Sequence, residues 1–132
     1  MRNRGFWDDD RGSAPVEFIM VAALLTALTL GVIQLGIATY VRNVVHDAAV
    51  EGAYYGALAD TSTGSAVDRT REVITRAIGA EYGSDVGTRE IMIDGQTVVE
   101  VTVRTGIPLV GLWPSGLQTE VTAHAPLESF DR

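Results

Sequence analysis

Residues 12–40 read GSAPVEFIMVAALLTALTLGVIQLGIATY, and this stretch decides how the chain is organised. From Phe18 to Tyr40 it contains no charged side chain, and Gln34 is its only strongly polar one. As a helix, this run would measure about 35 Å, which is enough to cross a hydrocarbon core of about 30 Å. The run is also longer than the apolar region of a routine secretory signal. It therefore predicts a transmembrane helix.

The helical pattern continues beyond Tyr40, where small and branched apolar residues keep the spacing of a helix among polar ones. We expect one long helix from about Pro15 to about Ala59, embedded in the membrane at first and amphipathic afterwards. Pro15 suits the first helical position, where its missing N–H is no loss. Three arginines precede the span and only Arg42 follows it closely. This asymmetry predicts a cytoplasmic N-terminus and an extracytoplasmic C-terminal domain.

Composition limits the classes of function. The net charge of −7 gives no support for nucleic-acid binding, which normally uses a basic patch. The chain has no cysteine, which excludes disulfides and thiolate metal sites. His46 and His124 stand far apart, without the carboxylate–His spacing of a metal site, and neither a nucleophile motif nor a phosphate-binding glycine loop is present. We expect no enzyme, no cofactor and no small-molecule substrate.

The residues that follow the long helix predict a second, short helix. Ser65, with Asp68 three positions on, predicts its N-cap, and Gly79 or Gly83 is expected to end it. The expected apolar face consists of Val67, Ile74, Ala77 and Ile78.

Beyond this helix the period of the pattern changes to two, which indicates strands. Residues 89–94 and 97–105 are expected to form a hairpin through Asp94-Gly95, a strong turn signal, and residues 117–125 a third strand. In the middle strand, Val99, Val101 and Val103 share one face, and Glu100, Thr102 and Arg104 share the other. The predicted fold class is α+β, with a long N-terminal helix, one short helix and a three-stranded antiparallel sheet.

The start of the long helix resembles a known family. The segment RGSAPVEF at 11–18, the apolar helix and the small-residue stretch DAAVEGAYYGALA at 47–59 resemble the TadE-like minor pilins of bacterial tight-adherence (Flp, type IVb-like) pilus systems. The length of chain beyond the long helix favours a minor pilin or pseudopilin over a major subunit. The resemblance implies the membrane, a prepilin peptidase, other pilins or pseudopilins and the Tad assembly platform as partners.

The resemblance also implies a processing site. In type IV pilin-like precursors the peptidase cuts after a glycine at the cytoplasmic face, and a Glu is fifth in the mature chain. Cutting after Gly12 would leave Ser13 first and Glu17 fifth, with Phe18 where major Flp pilins usually have Tyr. The chain would then divide into a leader peptide (1–12), a transmembrane helix (13–40) and an extracytoplasmic pilin-like domain (41–132).

Two explanations account for Glu17. After cleavage, the new ammonium group of Ser13 would lie about one helical turn away, and two opposite charges in a membrane are much less costly as a pair than alone. Glu17 would pair with Ser13 of its own chain or of a neighbouring subunit, as a subunit-pairing residue together with Phe18. Alternatively, Glu17 is a carboxylate in the first helical turn that complements the helix macrodipole.

Small residues recur at helical spacing in two places, where another helix can approach closely. The outer row consists of Ala49, Gly52, Ala53 and Gly56, and the membrane row consists of Ala23, Ala27 and Gly31. For the outer row, contact with the second helix and sheet of the same chain is favoured over contact with a neighbouring pilin. The membrane row is the candidate for packing between subunits. The apolar segment 107–114 could meet the membrane, a partner or the core of its own domain.

Two other functions remain open. The first is an unprocessed signal-anchored extracytoplasmic domain that binds a partner in the cell envelope. The second is a binding module released by signal peptidase, because Gly36-Ile37-Ala38 offers a small-x-small cleavage site. In the pilin hypothesis the protein is a single-pass protein of the bacterial cytoplasmic membrane that can enter the pilus.

Overall fold

The computed structural model describes residues 12–58, 60–108 and 116–128. Two compact units follow each other along the chain, one ending at Leu35 and the other running from Gly36 to Arg132. The elements are the helices α1 (Ser13–Ala57) and α2 (Thr63–Ala77), a 3-10 turn (Ala80–Gly83), and the strands β1 (Asp85–Ile93), β2 (Gln96–Gly106) and β3 (Gln118–Pro126). The predicted α+β fold, with a long helix, a short helix and three antiparallel strands, is confirmed.

Helix α1 begins and ends two residues earlier than the sequence pattern suggested. Pro15 is therefore its third residue, still within the first turn, where backbone N–H groups have no partner inside the helix. By length and composition α1 can cross a membrane. Within the apolar part, the hydroxyls of Thr26 and Thr29 donate to backbone carbonyl oxygens four residues earlier, each at 2.8 Å. These two polar groups are thus satisfied inside the helix itself.

The core of the second unit is built from small and branched side chains. Its buried apolar members are Val41, Val45, Ala48, Ala49, Ala53 and Ala57 of α1, Ala66 and Ile74 of α2, and Val99, Val101, Val103, Val121, Ala123 and Ala125 of the sheet. The second half of α1 therefore buries one face and exposes its charged residues, as the amphipathic pattern predicted.

Two buried glycines explain how closely α2 approaches α1. A Cβ atom added at Gly52 would overlap the Thr70 hydroxyl and lie 2.8 Å from the Ala66 carbonyl oxygen. One added at Gly56 would lie 2.5 Å from the Cβ of Ala66. The outer row of small residues thus receives α2 of the same chain, which confirms the favoured interpretation.

The start and the buried face of α2 differ from the prediction. The N-cap is Ser62 and not Ser65, and no side-chain hydrogen bond caps the helix. The buried residues are Ala66, Thr70 and Ile74, while Val67 and Ile78 are half-buried and Ala77 is exposed. Because α1 presents glycines here, the face of α2 with the smallest side chains makes the closest contact, and the larger apolar groups flank it.

The end of α2 agrees with one of the two predicted glycines. The helix ends at Ala77, and Gly79 follows with a φ of 118°, a conformation that favours glycine. The Gly79 N–H donates to the carbonyl oxygen of Ile74 at 3.3 Å. Gly83 instead ends the 3-10 turn and is buried.

The three strands form one antiparallel sheet in the order β1-β2-β3. The β1–β2 turn is Asp94-Gly95, both with positive φ (50° and 81°), as a two-residue hairpin turn requires. Strand β1 begins at Asp85, four residues earlier than expected, because β2 is long enough for Arg104 to pair with Asp85. The faces of β2 alternate as predicted, with its odd-numbered valines towards the core. Residues 109–115, most of the predicted apolar loop, lie outside the described residues.

Candidate functional site

The residues of the implied processing site lie at the very start of α1. Gly12 forms a turn, and Ser13 is the first helical residue. Glu17 and Phe18 are both exposed, with 73% of Phe18 accessible. Glu17 is the fifth residue of α1, which has no acidic residue in its first turn. It therefore lies just beyond the first turn, within which the effect of the macrodipole falls off.

The fold itself does not require a glycine at position 12. A Cβ atom added at Gly12 would meet no atom of the described residues within 4 Å, and its φ lies outside the left-handed region. Within residues 12–58, 60–108 and 116–128, neither packing nor backbone conformation thus accounts for the glycine.

The membrane row is exposed along its length. Ala23, Ala27 and Gly31 recur every four residues, so they share one side of α1, and all three are accessible. A Cβ atom at Gly31 would meet nothing within 4 Å, in contrast to Gly52. Among the described residues, the structure brings no other part of the chain against this row. Its residues lie where another helix could pack.

The open face of the sheet carries a cluster that the sequence analysis missed. Glu100 lies on the central strand, directly opposite Arg89 of β1 and His124 of β3. The Arg89 Nε donates to Glu100 Oε1 at 2.5 Å, and the His124 Nε2 lies 2.8 Å from Glu100 Oε2. The side chain of Glu100 is only 8% exposed, although it lies on the face of β2 opposite the odd-numbered valines of the core. The neighbouring side chains cover it.

Electrostatics keeps this carboxylate charged. The hydrogen bond from the Arg89 guanidinium holds the pKa of Glu100 below its ordinary value of 4.5. Burial raises the pKa against this effect, and the hydrogen bond with His124 lowers it further. Because one charged group on β2 is held by groups on both neighbouring strands, the cluster ties the three strands together on the side away from the core.

Part of this cluster was within reach of sequence reasoning. A two-residue turn at Asp94-Gly95 pairs Ile93 with Gln96, and counting back along both strands pairs Arg89 with Glu100. The contact with His124 had no such signal, since a long connection separates β2 from β3 and does not fix their register.

A shallow trough lies beside this cluster on the open face. Its volume is about 300 Å³, and its lining includes Gly87, Thr102, Thr122 and the exposed Arg104–Glu120 pair. Among the residues that the structure describes, no group of three His, Asp or Glu side chains is placed to hold a metal ion. The charged groups of the trough are paired with one another, but the buried hydroxyl of Thr88, which also lines it, has no hydrogen-bond partner among the described residues.

Comparison with known proteins identifies the N-terminal part of the chain. Residues 12–53 match the family model described as TadE-like protein. The N-terminal part of the chain is similar to TadE-like proteins. This similarity points to a component associated with a Tad pilus, and the apolar helix α1 fits single-pass membrane anchoring. This family of pilus components is not a family of enzymes.

The matched segment has informative limits. It begins at Gly12 and ends within α1, at Ala53, so it covers about a third of the chain and leaves out α2 and the sheet. No curated protein and no solved structure matches the chain.

Proposed function

We propose that this protein is a minor pilin or pseudopilin of a Flp/Tad-type pilus, processed after Gly12 by a prepilin peptidase. The observation that carries the proposal is the junction between Gly12 and Ser13. An exposed glycine that no contact among the described residues requires immediately precedes the first residue of α1, and the family match starts at the same glycine. A peptidase that requires a small residue before the cut accounts for both.

Glu17 then serves in assembly. Cleavage creates an ammonium group on Ser13, four residues before Glu17 on the same helix, where side chains at this spacing are neighbours. Near the membrane each charge is costly alone, so the carboxylate pairs with Ser13 of its own chain or of an adjacent subunit. Pairing between chains would set the register of neighbouring helices. Phe18 and the membrane row would then pack against the adjoining subunit.

The topology follows from the same proposal. Residues 1–12 are the cytoplasmic leader, 13–40 cross the cytoplasmic membrane, and 41–132 form the extracytoplasmic domain. The partners are the prepilin peptidase, other pilins or pseudopilins and the Tad assembly platform. The protein contributes to the structure or assembly of the pilus and not to catalysis.

The alternative function is an unprocessed, signal-anchored binding domain of the cell envelope. One observation favours it: the unit from Gly36 onward has its own core, so it does not need a filament to be folded. A module released by cutting after Ala38 would keep the same core, because its first buried residue is Val41. The three possibilities differ in their N-termini.

The intact mass of the membrane-extracted protein tests the proposal. We expect a chain that begins at Ser13, whereas the anchored domain begins at Met1 and the released module at Thr39. Gly12→Ala should leave some cleavage, and Gly12→Leu should block it, because a bulky side chain would not fit a site that accepts glycine. Unimpeded cleavage of the Gly12→Leu variant would contradict the proposed site.

Replacing Glu17 tests the assembly role. Glu17→Ala should preserve membrane insertion and cleavage, since the apolar span is unchanged, but should abolish crosslinks to other pilins. Glu17→Asp should be intermediate because it keeps the charge with a shorter reach. Wild-type crosslinking in a processed Glu17→Ala strain would exclude pairing and leave the membrane anchor unaffected.

A further inference from the structure

Two adjacent tyrosines near the end of α1 lie outside the core. Tyr54 is 59% exposed and Tyr55 is 43% exposed. Two clefts flank them. The larger cleft, of about 510 Å³, is lined by both tyrosines, by the apolar residues Leu58 and Pro126, and by Glu51, Glu128 and Arg69. The smaller cleft, of about 270 Å³, is lined by Tyr55, Ser65, Asp68, Arg69 and Glu72. Tyr55 and Arg69 line both clefts. Exposed aromatic side chains beside a cleft are typical of the centres of protein interfaces.

The charges around the tyrosines are unbalanced. Among the described residues that line the clefts, Arg69 is the only basic one, and it donates its Nε to Glu51 at 2.9 Å and its Nη1 to Glu72 at 3.3 Å. These carboxylates raise the pKa of Arg69, and the hydrogen bond that Arg69 donates to Glu51 is the largest cause. Asp68 and Glu128 have no salt bridge to any residue that the structure describes. Within the described part of the chain, the rim therefore offers two carboxylates without a salt bridge beside the two tyrosine rings.

We propose that these clefts bind a basic segment of a partner protein. An Arg or Lys of that segment stacks on the ring of Tyr55 and pairs with Asp68 or Glu128, because a ring face and a carboxylate both attract a cation. A neighbouring apolar side chain of the segment enters the larger cleft, against Tyr54 and Leu58. This inference goes beyond the proposed pilin role and does not depend on processing after Gly12.

A lipid surface fits these clefts less well. Tyr54 follows Tyr40, the expected end of the span, by 14 positions, which is about 21 Å along a helix. That is beyond the interface at which membrane tyrosines usually anchor. The free carboxylates would also be repelled by anionic headgroups, whereas they attract a basic peptide.

Peptide binding to the full chain tests the inference. The protein is placed in nanodiscs of zwitterionic phosphatidylcholine and titrated with acetyl-GLRLRG-amide or with the acidic counterpart acetyl-GLELEG-amide. We expect saturable binding of the basic peptide only, followed through the tyrosine ring resonances. Tyr55→Ala should weaken binding about tenfold. Glu128→Gln should weaken it less and reduce its dependence on salt.

Matched variants control the experiment. Tyr55→Phe keeps the ring and should retain most of the affinity. Tyr40→Ala removes an exposed ring outside the clefts, and Glu90→Gln removes an exposed carboxylate outside them. Neither of these two variants should change binding of the basic peptide. If Tyr55→Ala lowers the melting temperature, its weaker binding could reflect lost stability. The affinities of Tyr55→Phe and Glu128→Gln for the basic peptide are then compared, and the inference requires that Glu128→Gln binds more weakly than Tyr55→Phe.

Three results would overturn the inference. They are equal binding of both peptides, unchanged binding to the Tyr55→Ala, Glu128→Gln double variant, and binding to empty nanodiscs. Self-association of the chain that is lost in the same double variant would assign the clefts to a second copy and would also contradict a separate basic partner.

Discussion

Gly31 and Gly52 lie on the same helix but in different surroundings. Gly52 is buried where α2 approaches, and a side chain there would collide with the Ala66 backbone and with Thr70. Gly31 is exposed, and a side chain there would meet nothing within 4 Å. Glycine in the middle of a helix costs about 1 kcal/mol relative to alanine. At Gly52 close packing within the chain offsets that cost, whereas at Gly31 no residue that the structure describes does so.

This difference separates two kinds of helix surface. The second half of α1 is explained by the chain's own fold, since its small residues allow α2 and the sheet to pack closely. The first half packs against no other described segment, and in the proposed function lipid and other helices surround it. We therefore expect substitutions in the second half to change stability, and substitutions in the first half to change assembly.

Gly52→Leu should have the largest effect on stability. The new side chain cannot fit between α1 and α2 without moving the Ala66 backbone, so the free energy of unfolding should fall by about 3 kcal/mol or more. Thermal unfolding of the full chain in detergent, followed by circular dichroism, measures the loss.

Gly31→Leu is the matched control for this substitution. It should leave the unfolding temperature unchanged and reduce crosslinks between subunits, because it fills the membrane row. If both leucine variants lower stability equally, the two halves of α1 do not differ in how far packing within the chain explains their small residues.

Glu100→Gln should have a smaller effect. The buried carboxylate loses its charge, which weakens the hydrogen bonds to Arg89 and His124, and we expect a loss of about 1–2 kcal/mol. Arg89 is 70% exposed and can be hydrated instead, which limits the cost. Glu120→Gln, which removes the charge from the exposed pair with Arg104, should cost less than about 1 kcal/mol. Chemical denaturation of both variants should give this order; a reversed order would mean that the cluster does not tie the strands together.

Acidic pH should produce the smallest of these effects. The pKa of Glu100 is lower in the folded chain than its ordinary value of 4.5, so the unfolded chain takes up the proton first as the pH falls. The stabilisation by Glu100 is complete above pH 4.5 and is lost as the pH falls through the folded-state pKa. Other carboxylates also titrate in this range. The measurement is therefore the difference in the free energy of unfolding between wild type and Glu100→Gln. This difference should become smaller below pH 4.5. A difference that stays constant with pH would contradict the prediction.

The sequence was informative where local patterns act alone. The apolar run located α1 to within two residues, and Asp94-Gly95 located the hairpin. The N-cap of α2 was misassigned because Ser62 and Ser65 are both suitable residue types, and the helix starts after the first of them. The pattern also put Val67 and Ala77 on the buried face, because apolar spacing does not show how closely the partner helix approaches. The peptidase site was suggested by residue spacing and family resemblance, and it remains a proposal.

The sequence by itself determined the apolar span, the change of period from helix to strand, and the alternation of the two faces of β2. These properties depend on neighbours a few residues apart along the chain, so they can be read locally. Only the tertiary structure decided that Glu100 is buried on the open face, that Ala66 and Thr70 meet Gly52, and that Tyr54 and Tyr55 stay outside the core. Each of these depends on which distant segments come into contact. That is set by packing of the whole domain, since a side chain is buried or exposed only in relation to the surfaces that cover it.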